Sequence, residues 1–216
     1  MFTHCPPIEL IVHPRIDIKD TRHYQTPNGT YPSITSVISR SEDLSWLEGW
    51  KATIGEDEAN RITATSSGRG TNLHTMCEDY LNNKPLSIKA YDAKEMFVSI
   101  KPILNRISNI HFLEACLYSD ILKVAGTVDA IAEFDGVLSV IDFKNSRRIK
   151  TEDKIHNYFI QETFYSLAYY ELSGIKIPQI VTIIAVEDDK PQVFVKQIKP
   201  YIKPLVEKIK YFNLNF

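Results

Sequence analysis

Two acidic residues thirteen positions apart are the part of the sequence best suited to chemistry. Asp129 precedes an apolar, β-branched run, and Asp142 opens an Asp-Phe-Lys triplet that ends at Lys144. An Asp135-Gly136 pair lies between two such runs, a pattern typical of a β-hairpin. A hairpin brings Asp129 and Asp142 together on neighbouring strands. Because side chains alternate along a strand, Asp142 and Lys144 point to the same face.

Two carboxylates and one ammonium on one sheet face form a binding site for a hard divalent cation with a second positive charge beside it. Carboxylate oxygens favour Mg²⁺ or Mn²⁺, and this equipment suits metal-assisted cleavage of a phosphodiester. The hairpin alone does not decide the matter, since Asp and Lys two apart on a strand usually form a solvated face. Further motifs elsewhere in the chain favour the metal site.

These motifs lie on either side of the hairpin. A Gly-Arg-Gly-Thr-x-x-His stretch ends at His74, and a Gln-x-x-x-Tyr stretch joins Gln161 to Tyr165 in the next predicted helix. Gly126 and Asp129 form a Gly-x-x-Asp motif at the start of the hairpin. The order of the four motifs from residue 68 to residue 165, Gly-Arg-Gly-Thr-x-x-His, Gly-x-x-Asp, Asp-x-Lys and Gln-x-x-x-Tyr, resembles the PD-(D/E)xK nuclease superfamily. Within that superfamily the chain is most similar to the RecB-type exonuclease branch, which includes phage exonucleases.

This resemblance implies a role for each matched residue. His74, Asp129 and Asp142 would bind the metal ion, and the backbone carbonyl of Phe143 would add another ligand. Lys144 would lie near the attacking water and the scissile phosphate. There it would either orient or deprotonate the water, or offset the charge that develops in the transition state; the sequence leaves both roles open.

Four further residues are candidates for roles near the active site. Gln161 and Tyr165 would lie beside the active site and help to position DNA or the catalytic lysine. Glu114 lies on the strand before the hairpin, where relatives often carry an acidic residue, and is a further candidate. Glu78 is either a nearby hydrogen-bond acceptor or an ordinary exposed residue on its helix.

Basic residues are concentrated directly after the Asp-Phe-Lys triplet, between residues 144 and 154. A solvated loop is the ordinary role of such a run, but its position beside the expected metal strand favours contact with phosphate. We predict DNA-binding roles for Arg147, Arg148 and Lys150, and for Arg69 in the glycine-containing motif.

The bulk properties suit one domain over residues 1–216, with a mainly helical part over 1–110 and a catalytic sheet core over 111–216. The chain is 44% hydrophobic, which is enough for a sizeable core. A net charge of −2 argues against a purely electrostatic nucleic-acid binder and leaves room for an enzyme with one local basic channel.

Three widely separated cysteines indicate free thiols in a reducing compartment. Several RecB-type relatives hold an iron–sulfur cluster with four cysteines, so we expect no cluster here. Neither a signal peptide nor a membrane-spanning run is evident in the sequence. We expect a cytoplasmic protein, in the host cytoplasm if its origin is viral.

The element order predicts an α/β fold: a mixed central β-sheet flanked by helices, a restriction-endonuclease-like core, with an N-terminal helical region. Residues before 33 suggest irregular or short β structure. We expect the following elements: helices over 33–50, 56–81 with a break at 66–70, 91–107 and 151–172, strands over 111–119, 127–132, 137–141, 180–186 and 193–198, and a closing helix from Pro200 or Pro204. Trp46 and Trp50 would share a helix face, either for core packing or for stacking on a single-stranded base.

Three functions remain open at this stage. The first is a Mg²⁺- or Mn²⁺-dependent DNA exonuclease that acts on single-stranded ends. The resemblance implies a helical arch over the site, for which residues 35–60 and 91–109 are the candidates, with Lys94, Lys101 and Arg106 near the phosphates. The second is a structure- or sequence-selective endonuclease on the same metal core. The third is a non-catalytic nucleic-acid-binding protein. The expected partners are single-stranded DNA and replication or recombination proteins, and the expected state is a monomer.

Overall fold

The computed structural model describes residues 1–6, 13–43, 45–88 and 91–216, apart from the side chains of residues 46 and 92. The strands are β1 Arg15–Ile18, β2 Thr21–Thr26, β3 Gly29–Pro32, β4 Ile107–Ser119, β5 Val124–Phe134, β6 Val137–Ser146, β7 Gln179–Val186 and β8 Gln192–Gln197. The helices are α1 Ile34–Arg40, α2 Ser45–Ile54, α3 Glu56–Leu81, α4 Tyr91–Leu104, α5 His156–Ser173 and α6 Lys199–Asn215.

Five strands form the central sheet in the order β4-β5-β6-β7-β8. Strands β6 and β7 are parallel, and every other neighbouring pair is antiparallel. The parallel connection needs a crossover, and α5 supplies it between β6 and β7. The predicted mixed sheet with flanking helices is therefore confirmed.

Helices cover both faces of this sheet. On one face, α1, α5 and α6 pack over a cluster that includes Val128, Val140 and Phe159. On the other face, α3 and α4 pack over a cluster that includes Ile141 and Phe143. Burial of each such side chain stabilises the folded state by about 1.5–3 kcal/mol, so the two clusters hold the sheet between the helices.

The β5–β6 hairpin forms as the sequence predicts. Asp135 and Gly136 both have positive φ angles, 51° and 79°. A two-residue turn needs such angles to match the twist of the strands on either side of it. The paired register runs from Phe134 opposite Val137 to Ala130 opposite Ile141. Beyond that point β6 continues beside β7 while its ladder with β5 ends, so the two strands separate where Asp129 and Asp142 lie.

Helix α3 runs without interruption over 26 residues, so the predicted break at 66–70 is wrong. A Cβ built on Gly70 would lie 3.0 Å from Oδ1 of Asn145 on β6. The Asn145 side-chain amide also donates to the carbonyl of Ser66 at 3.2 Å. Gly70 therefore permits close contact between helix and strand, at the cost of about 1 kcal/mol that glycine carries inside a helix.

Helix α4 is a core element, so the arch predicted at 91–109 is wrong. Its buried residues Phe97, Ile100 and Leu104 pack with α3 against the sheet. Arg106 does not face the site, because its guanidinium binds the carboxylate of Asp135 at the hairpin turn. The apolar face of α4 lies against the core.

The other predicted elements need smaller adjustments. Strands β1, β2 and β3 form a separate antiparallel sheet, whose Tyr24 and Tyr31 pack on Ala125 of β5. Helix α5 ends at Gly174, which has the expected left-handed conformation with φ 72°. Helix α6 begins at Lys199, so Pro200 rather than Pro204 lies in its first turn.

Two expectations concern other parts of the helical region. The shared face of Trp46 and Trp50 lies outside the described residues, because the side chain of Trp46 is not described. Among the described residues, no helix is long and apolar enough to cross a bilayer.

Candidate metal centre

Three side chains from three different elements converge at the point where β5 and β6 separate. They are His74 on α3, Glu114 on β4 and Asp129 on β5, and one donor atom from each lies within 4.8 Å of the other two. Nδ1 of His74 is 3.4 Å from Oδ1 of Asp129 and 3.8 Å from Oε1 of Glu114. The arrangement offers one imidazole nitrogen and two carboxylates to a single point.

The sheet register and the packing of α3 produce this convergence. Leu113 pairs with Ala130 and Ala115 with Val128, which places Glu114 opposite Asp129 on adjacent strands. Helix α3 packs on the sheet and carries His74. The preceding residue, Leu73, is fully buried in the core. Buried residues next to His74 and Asp129 therefore fix α3 and β5 at this point.

Glu114 has an unusual backbone for a strand residue. Its φ angle is +49°, in the left-handed region that costs a non-glycine residue about 1–2 kcal/mol. Such conformations persist only where surrounding structure enforces them, and they concentrate at functional sites. The conformation fits a role for Glu114 as a donor in the cluster.

The charges of the cluster are strongly coupled. Burial opposes protonation of His74, but the Asp129 and Glu114 carboxylates outweigh it and raise the pKa of His74 to about 10. Burial also acts against the charged form of Asp129, yet His74 and Lys144 lower the pKa of that carboxyl below its ordinary value. In the metal-free protein an imidazolium therefore occupies the place of a cation between the two carboxylates.

This donor set fits a divalent ion that prefers oxygen and imidazole ligands. Mg²⁺ accepts carboxylates, and an imidazole nitrogen makes Mn²⁺ more favourable than it is at an all-oxygen site. The structure brings His74 and Asp129 together as the resemblance implied. It places Glu114 rather than Asp142 as their third neighbour among the described residues.

Phe143 is held at the same place through its backbone. Its amide donates to Oδ2 of Asp129 at 2.8 Å, which satisfies a strand N–H that no longer faces a β5 carbonyl. This hydrogen bond leaves Oδ1 of Asp129 directed at His74. The ligand role of the Phe143 carbonyl stays a prediction.

Asp142 and Lys144 form a close ion pair on the α5 face of β6. Asp142 is only 2% exposed. Burial raises its pKa to about 6, although the Lys144 ammonium acts in the opposite direction. Burial disfavours the ammonium too, but Asp142 and Asp129 outweigh it and raise the pKa of Lys144. The lysine also lies over the ring of Tyr158, with Nζ 5.2 Å from the ring centre.

Glu162 belongs to this group, and the sequence analysis did not identify it. The side chain is fully buried on α5, accepts a hydrogen bond from the Thr182 hydroxyl, and has no partner for Oε2 among the described residues. Burial and the Asp142 carboxylate raise its pKa well above the ordinary value. One signal was present: Glu162 is the only Asp, Glu, Lys or Arg between Lys154 and Glu171, in an aromatic-rich helix.

The two residues of the Gln-x-x-x-Tyr motif contact each other on α5. The Gln161 side-chain amide donates to the Tyr165 hydroxyl at 3.4 Å, a long hydrogen bond. Tyr165 is buried in the core, and a Cβ on Gly126 would lie 2.9 Å from its hydroxyl oxygen. Gly126, the glycine of the Gly-x-x-Asp motif, thus leaves room for the buried side chain of Tyr165. The positioning role of Gln161 and Tyr165 stays a prediction.

The basic residues predicted to bind DNA lie along the end of β6 and on α3. Arg69 and Arg147 both approach the carboxylate of Glu187, at 2.9 Å and 3.6 Å. Arg148 is exposed, and Lys150 is fixed through its backbone by two hydrogen bonds to the Gln192 side chain. Arg147, Arg148 and Lys150 line one cleft, and Arg69 shares the Glu187 carboxylate with Arg147. The DNA-binding role of all four stays a prediction.

Glu78 lies one helical turn beyond His74 on α3. Burial and the nearby Glu114 carboxylate raise its pKa. It is not part of the three-donor cluster formed by described residues. Both predicted roles of Glu78 stay predictions.

The chain is similar in sequence to two mitochondrial genome maintenance exonucleases. It is 28% identical over 151 residues to mitochondrial genome maintenance exonuclease 1 of Xenopus tropicalis, and 30% identical over 144 residues to that of Homo sapiens. The matched regions cover 63% and 62% of this chain. The chain spans 40% of the length of each relative. No protein-family model matches the chain.

A solved structure shares the fold. The crystal structure of a candidate exonuclease from Eubacterium rectale matches with a TM-score of 0.50 and 14% identity, over 68% of this chain and 64% of that one. At this identity the match shows the fold alone. Together with the sequence similarities it confirms the resemblance to PD-(D/E)xK-type exonucleases that the motifs predicted.

Proposed function

We propose that this chain is a divalent-metal-dependent deoxyribonuclease that removes nucleotides from single-stranded DNA ends. The observation that carries the proposal is the convergence of His74, Glu114 and Asp129 within 4.8 Å, beside the Asp142–Lys144 ion pair. The similarity to mitochondrial genome maintenance exonucleases supports the choice of an exonuclease over the other nuclease classes.

The three donors would hold Mg²⁺ or Mn²⁺. The bound ion would polarise a phosphoryl oxygen and lower the pKa of a water molecule. Binding requires neutral His74, so the imidazolium must lose its proton first. The Phe143 amide keeps Asp129 oriented throughout, because it occupies the carboxylate oxygen that does not face His74.

Lys144 acts in this proposal as a fixed cation rather than as a general base. Its raised pKa keeps the ammonium charged, whereas a general base would need a lowered pKa. Asp142 restrains the ammonium on one side and the Tyr158 ring restrains it on another. A cation held in advance stabilises the charge that develops on phosphate without a reorganisation cost.

Digestion of end-labelled linear DNA and closed circular DNA, single- and double-stranded, tests the proposal. Each reaction is run with Mg²⁺, Mn²⁺ or EDTA, and the Asp129→Asn variant serves as the matched inactive control. We expect metal-dependent loss of linear single strands and survival of circles. Rapid cutting of single-stranded circles would indicate the endonuclease alternative. Binding without cleavage under every metal condition would indicate a non-catalytic binding protein.

A further inference from the structure

A cleft of about 880 Å³ opens beside the Asp142–Lys144 ion pair. It lies between α2, the N-terminal half of α3, the end of β6 and the start of α5. Its lining residues include two aromatic side chains, Trp50 and Tyr158, and three cations, Arg147, Arg148 and Lys150. It is distinct from the metal cluster, none of whose donors line it.

The charge of this cleft suits a phosphate chain. Arg147 and Arg148 are exposed, and the guanidinium of Arg147 lies 3.6 Å from the nearer Glu187 oxygen. The same Glu187 oxygen is 2.9 Å from Arg69, so the carboxylate is shared between two guanidinium groups. With Asp188 as the other acidic lining residue, cations are in excess.

The aromatic residues provide flat apolar surfaces in the same cleft. Trp50 and Tyr158 are both half-buried, so part of each ring faces the open space. Within the described part of the chain, the Trp50 indole has neither a ring partner nor a side-chain hydrogen bond. A buried or half-buried indole usually finds a hydrogen-bond partner, so its N–H is available to a ligand.

The cleft borders the proposed catalytic cation, Lys144, through one shared residue. The Lys144 ammonium lies 5.2 Å from the ring centre of Tyr158, so this one side chain borders both the cleft and the catalytic cation. Asn145, the residue after Lys144, also lines the cleft and is anchored to Ser66 of α3. A nucleotide in the cleft would therefore be a near neighbour of the bond to be cut.

We propose that this cleft binds one unpaired nucleobase of a single-stranded DNA substrate by stacking it on Trp50, with its phosphates on Arg147 and Arg148. The proposal rests on the proposed nuclease function and names the substrate subsite next to the reacting bond. Stacking on an aromatic face tolerates every base, since each base has a π-face, but the base must be free of its own helix. The cleft thereby selects single strands without selecting sequence.

Binding without cleavage tests this subsite. The protein is studied in EDTA with a Trp46→Phe substitution, so that Trp50 is the single fluorescent indole. The two probes are a short oligothymidylate and an abasic strand with the same number of phosphates. We expect oligothymidylate to quench the Trp50 fluorescence and to bind about tenfold more tightly than the abasic strand, because stacking contributes on that scale per base.

Substitutions at Trp50 sharpen the test. In the background with the native Trp46, Trp50→Ala should remove the tenfold preference for the strand with bases, and Trp50→Phe should keep most of it. Tyr170→Ala, an exposed aromatic on the last turns of α5, is the matched control and should keep the full preference. Equal binding of both probes by the parent protein would overturn the subsite, and so would an unchanged preference in Trp50→Ala.

The same experiment separates this proposal from the proposed function. If linear single strands are degraded with Mn²⁺ but oligothymidylate does not quench Trp50, the nuclease function stands and the stacking subsite is wrong. If oligothymidylate quenches Trp50 and the abasic strand binds more weakly, the base-binding subsite stands even when no divalent ion supports cleavage. In that case the proposed hydrolysis is wrong.

Discussion

Asp129 and Asp142 are carboxylates on neighbouring strands, the first half-buried and the second buried, and their surroundings shift their pKa values in opposite directions. The pKa of Asp129 is lowered, because His74 and Lys144 outweigh burial. The pKa of Asp142 is raised to about 6, because burial outweighs Lys144. Asp129 also accepts a backbone amide, whereas Asp142 lies near a second buried carboxyl, Glu162.

The difference between the two carboxylates suggests a division of labour. The Asp129 side presents donors to a common point and keeps its carboxylate ionised, as a metal ligand must be. The Asp142 side holds an ammonium in place against an aromatic ring. Environments that push the pKa values of paired groups apart are a general sign of separate roles.

Substitution of each carboxylate by its amide should give the largest loss of activity and should separate the roles of the two residues. We expect Asp129→Asn and Asp142→Asn each to lower the cleavage rate about 100-fold or more, because each removes charge that is organised in advance. The metal requirement should differ: Asp129→Asn should need much more Mn²⁺ for half-maximal activity than Asp142→Asn. An equal shift in both titrations would show that the two carboxylates share the ion.

Lys144→Met should lower the cleavage rate about 100-fold at saturating metal, since it removes the cation and keeps the length of the side chain. The Mn²⁺ titration should be nearly unchanged, because Lys144 is not a ligand. The variant should remain folded by circular dichroism. A large rise in the Mn²⁺ requirement would instead place Lys144 in the support of the metal cluster.

His74→Gln should raise the Mn²⁺ concentration for half-maximal activity by about tenfold or more, with a smaller effect on DNA affinity. The imidazole contributes one donor while the carboxylates of Glu114 and Asp129 remain. Glu78→Gln, one turn along the same helix face, is the matched control. An unchanged titration in His74→Gln would make this histidine a structural residue.

Metal binding by the parent protein should release about one proton between about pH 7 and pH 9. In this range Asp142 is ionised and His74, with a pKa of about 10, is protonated before the ion binds. Mn²⁺ affinity should therefore rise about tenfold per pH unit. Calorimetry in buffers of different ionisation enthalpy measures the proton count, and His74→Gln should abolish the release.

Glu162→Gln should alter stability rather than cleavage. A carboxyl whose pKa is raised on folding favours the folded state below its ordinary pKa of 4.5 and loses that contribution as pH rises. As the pH rises from 5 to 8, the variant should therefore gain free energy of unfolding relative to the parent, because only the parent loses this contribution. Urea unfolding in EDTA at pH 5 and at pH 8 measures the difference in free energy of unfolding between the variant and the parent. The same difference at both pH values would contradict the raised pKa.

The sequence predicted the parts of the site that depend on local pattern. The alternating runs and the Asp135-Gly136 turn were enough to place Asp129 near Asp142, and strand alternation was enough to pair Asp142 with Lys144. Both predictions depend on a few adjacent residues. The same holds for the end of α5 at Gly174, where one glycine marks the helix terminus.

Contacts between distant elements explain what the sequence did not predict. Gly70 suggested a break in α3, but the helix is continuous and this glycine allows close contact with Asn145, which lies 75 positions later in the chain. The resemblance named Glu114 as a further candidate, but its place in the cluster depends on the β4–β5 register and on a left-handed backbone that no local pattern predicts. Glu162 stood out only as a lone charge in an apolar helix, and its neighbours come from β6 and β7.

The most direct test of the metal centre is the anomalous scattering of Mn²⁺ in crystals of the parent protein soaked with the ion. We predict one strong peak within bonding distance of His74, Glu114 and Asp129, and loss of that peak in Asp129→Asn crystals. A peak bound only to Asp142, or no peak near these three side chains in crystals that cleave DNA with Mn²⁺, would contradict the proposed centre.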